Sequence, residues 1–332
     1  MLSHRIRHIS KHISRPLALP STQSTSASTT VQKMSTFTLP NSSPACPVHL
    51  PAHVPLTPDA LLSFVPFKNW SSRLQRSLAR QAQEQHAFHA APYVLRRIDV
   101  QAVDWFGGDG KGNGGRLGFV KLQARVTNER DEWLPGSVFL RGGSVGMLLI
   151  LQPTDVPADS ETDKHVLLTI QPRIPAGSLA FAELPAGMID DSGSFGGAAA
   201  TEIAQETGLK VDADALTDLT ALALSPNNAS KTTPPAAKDS SEDDVEEEGL
   251  IPAMFPSAGG CDEFVPLFLH QRRVARAELA DWQGRLTGLR DQGEKITLRL
   301  VRLDELWREG ARDSKALAAW ALYEGLRREG RL

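Results

Sequence analysis

Short aliphatic runs of strand length, interleaved with helical segments but without a regular strand–helix–strand repeat, confine this chain to a mixed sheet packed between helices. This is an α/β (α+β) class. Residues 93–103 alternate, with Val94, Ile98, Val100 and Val103 spaced for strand pairing, and residues 117–126 read as the returning strand. Further strands are expected at 138–140, 145–151, 165–170, 216–224, 264–270 and 295–303. Thr57-Pro58 supplies a cap and an opening proline for a short helix. Other helices are expected over 70–89, over 198–207 with a stop at Gly208, over 276–289 and over 314–328. The glycine-rich segment 107–115 lacks the spacing of a phosphate loop and no helix follows it, so it reads as a hairpin tip.

Composition divides the chain. Residues 1–57 lack periodicity, are rich in Pro, Ser and Thr, and are expected to lie outside the fold. Residues 58–135 read as a helical and β-rich N-terminal subdomain. Residues 136–332 read as the larger domain, interrupted by a low-complexity insertion at 225–249. That insertion ends in Glu242, Asp243, Asp244, Glu246, Glu247 and Glu248, a run that buries no apolar area and is expected to be disordered.

Charge narrows the partners. With 332 residues, 41% of them hydrophobic, there is material for a large core, and a net charge of -3 gives no reason to expect nucleic acid. The longest apolar run, 145–151, is too short to span a bilayer, so no membrane partner is expected. Two cysteines, Cys46 and Cys261, make neither a disulfide framework nor a structural zinc site, and they suggest a reducing compartment. No acidic residue precedes Asp59. Arg5, Arg7, Lys11 and Arg15 accompany Leu2, Ile6, Ile9 and Ile13 at helical spacing, and a Ser/Thr-rich stretch follows. This is the composition of an organelle transit peptide, mitochondrial or plastid, and a start at Met34 would yield a cytosolic form.

The chemistry concentrates at 187–209, GMIDDSGSFGGAAATEIAQETGL. Glu202 and Glu206 stand four apart on an expected helix, so both carboxylates leave one face. Like charges that close repel unless a cation intervenes, and Mg²⁺ prefers such oxygen ligands. The pair alone is equally compatible with a solvated helix face.

The segment resembles the Nudix box, in which a glycine, a Glu, and then R-E-U-x-E-E-x-G-U follow at set intervals, U being aliphatic. Gly187, Glu202, Ile203, Glu206, Gly208 and Leu209 fall in register. Gly193, Thr201 and Gln205 depart from it, standing where a Glu, the Arg and a Glu belong. The flanking stretches PGSVFLRGGSVGMLLIL, IQPRIPAGSLAFAELPAGMIDD, FPSAGGCDE and GLRDQGEKITLRLV resemble the ADP-sugar diphosphatase and ADP-ribose pyrophosphatase branch of that family, from about residue 93 to the end.

The resemblance implies a Nudix fold and Mg²⁺-dependent cleavage of an ADP-sugar, ADP-ribose or ADP-glucose, to AMP and a sugar phosphate, with Mn²⁺ as a substitute ion. It implies Glu202, Glu206 and the carbonyl of Ala186 as metal ligands, Glu294 as general base, and Arg173, Glu263 and Arg141 as substrate contacts. It also implies a homodimer whose N-terminal sheet helps form the partner's adenine site, with Trp105 and Phe106 as stacking candidates that serve equally well as packing residues. The three departures support a competing reading, a catalytically impaired module that binds a nucleotide-sugar as a regulator.

Overall fold

The computed structural model describes residues 35–107, 114–189, 195–225, 249–289 and 295–332. Two sheets organise them. The first holds β1 (Ser35–Thr38), β2 (Pro47–Leu50), β3 (Val94–Phe106), β4 (Arg116–Thr127), β5 (Trp133–Leu134) and β6 (Ser137–Leu140), with β5 and β6 both paired to β4. The second holds β7 (Ser144–Pro153), β8 (His165–Arg173), β9 (Ser178–Glu183), β10 (Ala186–Met188), β11 (Thr217–Asp218), β12 (Leu267–Val274), β13 (Leu286–Thr287) and β14 (Ile296–Arg302). The path through it runs β11-β12-β7-β8-β14-β13. β12 pairs parallel to β7, whereas β8 and β14 pair antiparallel, so the sheet is mixed as expected.

The strand β7 shows why the second sheet is sandwiched. Every one of its residues is buried, which requires cover on both faces. Leu148 and Ile150 pack into a core that includes α4 (Leu219–Leu224) and α7 (Ser314–Arg328). Val145, Met147, Leu149 and Leu151 point the other way, against α3 (Phe195–Thr207) and α5 (Arg276–Trp282). A short helix, α6 (Leu306–Glu309), precedes α7. The first sheet has its own core, where Val48, Ile98, Val120 and Leu122 meet Leu61 of α1 (Pro58–Ser63) and Phe67 of α2 (Val65–Ala79). The two sheets divide the chain between Leu140 and Ser144, a few residues beyond the boundary expected from composition.

Four expectations change. Residues 35–57 enter the fold. β1 pairs with β2, β2 pairs with β3, and Val48 and Leu50 are buried, because two short strands suffice to extend a sheet whose partner supplies the periodicity. The second helix begins at Val65, with Pro66 in its first turn, and stops at Ala79. Gln81 then takes over the backbone, accepting from Tyr93 N–H at 2.7 Å and donating to the Tyr93 carbonyl at 2.9 Å. Of the strand expected at 216–224 only β11 forms; Asp218 accepts from Ala221 N–H and caps α4. The helix expected over 276–289 ends at Trp282, and Gly284, at φ +76°, turns the chain into β13. The helix α7 and the Thr57 cap of α1 form as expected. The tip 108–113 and the insertion 226–248 lie outside the described residues.

Candidate active site

Helix α3 carries both carboxylates, and Gly208 ends it in the left-handed conformation at φ +76°. Its apolar face buries Ala199 and Ile203 against the sheet, and Glu206, three residues on, is drawn under with them. The Glu206 carboxylate is held at both oxygens: Oε2 accepts from Ala186 N–H at 3.0 Å and Oε1 from Gln171 Nε2 at 3.3 Å. Burial pushes its carboxyl up to about 8. The charges of Glu202 and Glu183 push the same way, and the two donors oppose them.

Glu202 lies one turn back, against Gly187 of β10. A Cβ at Gly187 would sit 1.8 Å from Glu202 Cδ, so a larger residue there would push that carboxylate from its present place. The donor set fits the implied Mg²⁺. Two hard carboxylates lie close enough to repel, and one of them is buried, which is the environment a divalent cation relieves. Among the described residues no group of three His, Cys, Asp or Glu is arranged to hold a metal, so water would complete the shell.

A third carboxylate, unmarked by the box pattern, stands beside this pair. Glu183 ends β9, is buried, and accepts from Arg173 Nε at 2.6 Å and from Lys315 Nζ at 3.0 Å. Lys315 donates also to Asp313 Oδ1 at 2.9 Å, and Asp313 Oδ2 accepts from Leu184 N–H at 2.8 Å. Burial works against the Lys315 charge, but Asp313 and Glu183 outweigh it and hold the ammonium above its ordinary range. The cap of α7 thus reaches across to pin the strand that carries Glu183. Asp313 is legible as a cap; its bond to Leu184, 129 residues away in sequence, is not.

The remaining expected residues fall into two groups. Arg173 is brought to the carboxylates through Glu183, with its side chain 40% exposed. Arg141 and Glu263 find each other, Nη1 to Oε1 at 2.9 Å, and Ser144 Oγ donates to the same oxygen at 2.9 Å. Neighbouring Asp262 accepts from the N–H groups of Arg141 and Gly142 at 2.8 and 3.1 Å, closing two loops on one another. Burial raises the Asp262 carboxyl above its ordinary range. Thr201 and Gln205 are exposed on α3, and Thr201 Oγ1 merely donates to the Gly197 carbonyl of its own helix at 3.0 Å. Gly193 and Glu294 lie outside the described residues.

Alongside β10 opens a cavity of about 470 Å³. Met188, Phe195, Arg141 and Phe264 line one side; Phe64 and Arg73 of the α1–α2 segment and Trp105 of β3 line the other. Phe106 instead packs edge-on against Phe119, ring centroids 5.0 Å apart.

Similarity to known proteins decides the family. A curated protein named "Nudix hydrolase 14, chloroplastic", from Arabidopsis thaliana, is 35% identical over 266 residues, which is 80% of this chain and 71% of that protein. The chain belongs to the Nudix hydrolase family. It is accordingly an enzyme of the pyrophosphatase kind, acting on small nucleotide compounds, and hydrolases of this family generally need divalent metal ions. Among solved structures, one titled "Crystal structure of ADP compounds hydrolase" covers 72% of this chain and 98% of its own, at 13% identity and a TM-score of 0.39, too low to carry an argument. No family model matches the chain.

Proposed function

We propose that this Nudix hydrolase cleaves the diphosphate bridge of an ADP-sugar, ADP-ribose or ADP-glucose, releasing AMP and a sugar phosphate. The observation that carries the reading is the buried Glu206 carboxylate held beside Glu202 across Gly187. Bound by Glu202, Glu206 and the Ala186 carbonyl, Mg²⁺, or Mn²⁺ in its place, would neutralise charge on the diphosphate and orient it for attack. The chain's own residues do the positioning. Ala186 N–H and the Gln171 amide fix both oxygens of Glu206. Glu183 grips Arg173 at Nε, and its terminal nitrogens make no hydrogen bond among the described residues, so they are left for phosphate oxygens. Glu294 is assigned the proton of the attacking water. A bond then forms from water oxygen to phosphorus as the bridging P–O bond breaks.

A second reading has an observation of its own. Gln205 puts a neutral amide where a family acid stands, and Thr201 bonds only to its own helix, the pattern of an impaired binding module. Full-length protein with Mg²⁺ and either ADP-sugar, read by AMP release, separates the two. Activity is expected to fall at least about 100-fold in Glu206→Gln. Wild-type release no higher than the variant's sinks the hydrolase reading and favours the module.

Two further attributes belong with this proposal. We assign the basic, acid-poor N-terminus to an organelle address, mitochondrial or plastid, a reading that the chloroplastic relative supports. A reporter fused to residues 1–57 that stays cytosolic would refute it. We also assign a homodimer, which a monomer mass in sedimentation would refute.

A further inference from the structure

We propose that the cavity beside β10 holds the nucleoside phosphate end of the substrate, and that Arg73 of α2 is the side chain that recognises its anion. The inference rests on the hydrolase reading above and deepens it.

The argument starts from unmet hydrogen-bonding capacity. Four buried side-chain polar atoms among the described residues lack a partner, and three of them, Arg73 Nη1, Trp105 Nε1 and Arg141 Nε, belong to residues lining this one cavity. All three are donors. Buried donors without acceptors are costly, and a ligand rich in acceptors removes the cost. Arg73 itself has only a cation–π contact, 5.7 Å from the Phe264 centroid, and attraction from Asp262, whose Oδ1 is already occupied by two backbone N–H groups. Its Nη1 is therefore a buried, charged donor with no acceptor among the described residues. Aromatic faces complete the lining: Phe64, Trp105, Phe195 and Phe264 offer surfaces on which a planar base stacks.

Position agrees with chemistry. Ala186 bonds the Glu206 carboxylate, Gly187 packs on Glu202, and Met188 lines the cavity. Those three residues are consecutive in β10, so the carboxylates and the cavity are separated by only ~7 Å of extended backbone. A diphosphate set at the carboxylates reaches the cavity with the group attached to it. Arg73 comes from α2 of the same chain, so this contact to the anion is made within one subunit.

Calorimetric titration of the full-length protein with AMP and with adenosine, in chelator, tests the assignment without any turnover. Wild type is expected to bind AMP more tightly than adenosine. Arg73→Ala should weaken AMP at least about tenfold and leave adenosine unchanged, with Arg73→Lys recovering part of the loss. Thermal melts of both variants should stay close to wild type, since Arg73 Nη1 has no acceptor to lose and only the Phe264 contact goes. Equal AMP binding by wild type and Arg73→Ala overturns the proposal, as does equal binding of AMP and adenosine by wild type. If ADP-sugar hydrolysis depends on Glu206 while Arg73→Ala binds AMP normally, the cavity assignment alone fails. If Arg73→Ala loses AMP while no hydrolysis is found, the hydrolase reading alone fails.

Discussion

The carboxylate site and the adjoining cavity face the same substrate with opposite strategies. At the carboxylates every charged group has a partner: Glu206 with Ala186 and Gln171, Glu183 with Arg173 and Lys315, Lys315 with Asp313. In the cavity Arg73, Trp105 and Arg141 leave donors unmet. The first region is positioned by the protein alone, and a cation that arrives there has only to displace the Glu206 proton. The second is left incomplete and is finished by whatever enters. The difference also separates folding from recognition, because disturbing partnered charges harms stability whereas disturbing unpartnered donors harms only binding.

Three substitutions break or sharpen that contrast. The largest effect is expected for Lys315→Met. Removing the ammonium leaves Glu183 with Arg173 alone and Asp313 with backbone donors alone, and loss of one partner of a buried pair costs about 3–5 kcal/mol, read by urea unfolding. A change under about 1 kcal/mol would mean that the network is no more than surface pairing.

The next effect is on pH dependence. The Glu206 carboxyl lies near 8 in the fold against an ordinary 4.5, so the folded chain holds a proton that the unfolded chain has released. In metal-free protein its contribution is fully present below pH 4.5 and is lost as pH rises through about 8, by a few kcal/mol in all. Glu206→Gln should flatten that decline, and Mg²⁺ should reverse it in wild type only. A wild-type profile as flat as the variant's would show that the carboxylate is solvated.

The smallest effect is expected for Trp105→Phe. It deletes a donor that has no acceptor, so the ligand-free fold should change by less than about 1 kcal/mol in thermal or urea unfolding. Trp105 packs against the first-sheet core, and a loss comparable to that of Lys315→Met would show that this packing outweighs its unmet donor and would erase the contrast.

Legibility in the sequence follows how far apart the interacting residues lie. Glu202 and Glu206 are one helical turn apart, and the helix that joins them is itself readable from its glycine stop. Strand β14 and helix α7 announce themselves by period, since burial on one face imposes it, and β7 by an unbroken apolar run, since burial on both faces removes the alternation. Where a local signal competed with period, the reading failed. Asp218 turns an aliphatic run into α4, and Gln81 takes the chain out of helix by bonding Tyr93. Strands β1 and β2 are four residues each, too short to show alternation, and owe their existence to β3 beside them.

The sequence by itself determined the resemblance to the family and the carboxylate pair on its helix, because each depends on spacing along the chain. Only the tertiary structure decided that Gly187 lies against Glu202, that Glu183 joins the carboxylates, that Arg141 and Glu263 pair, and that residues 73, 105 and 141 line a single cavity. Those meetings depend on how two sheets and the segments between them pack, and packing between distant elements leaves no period in the chain.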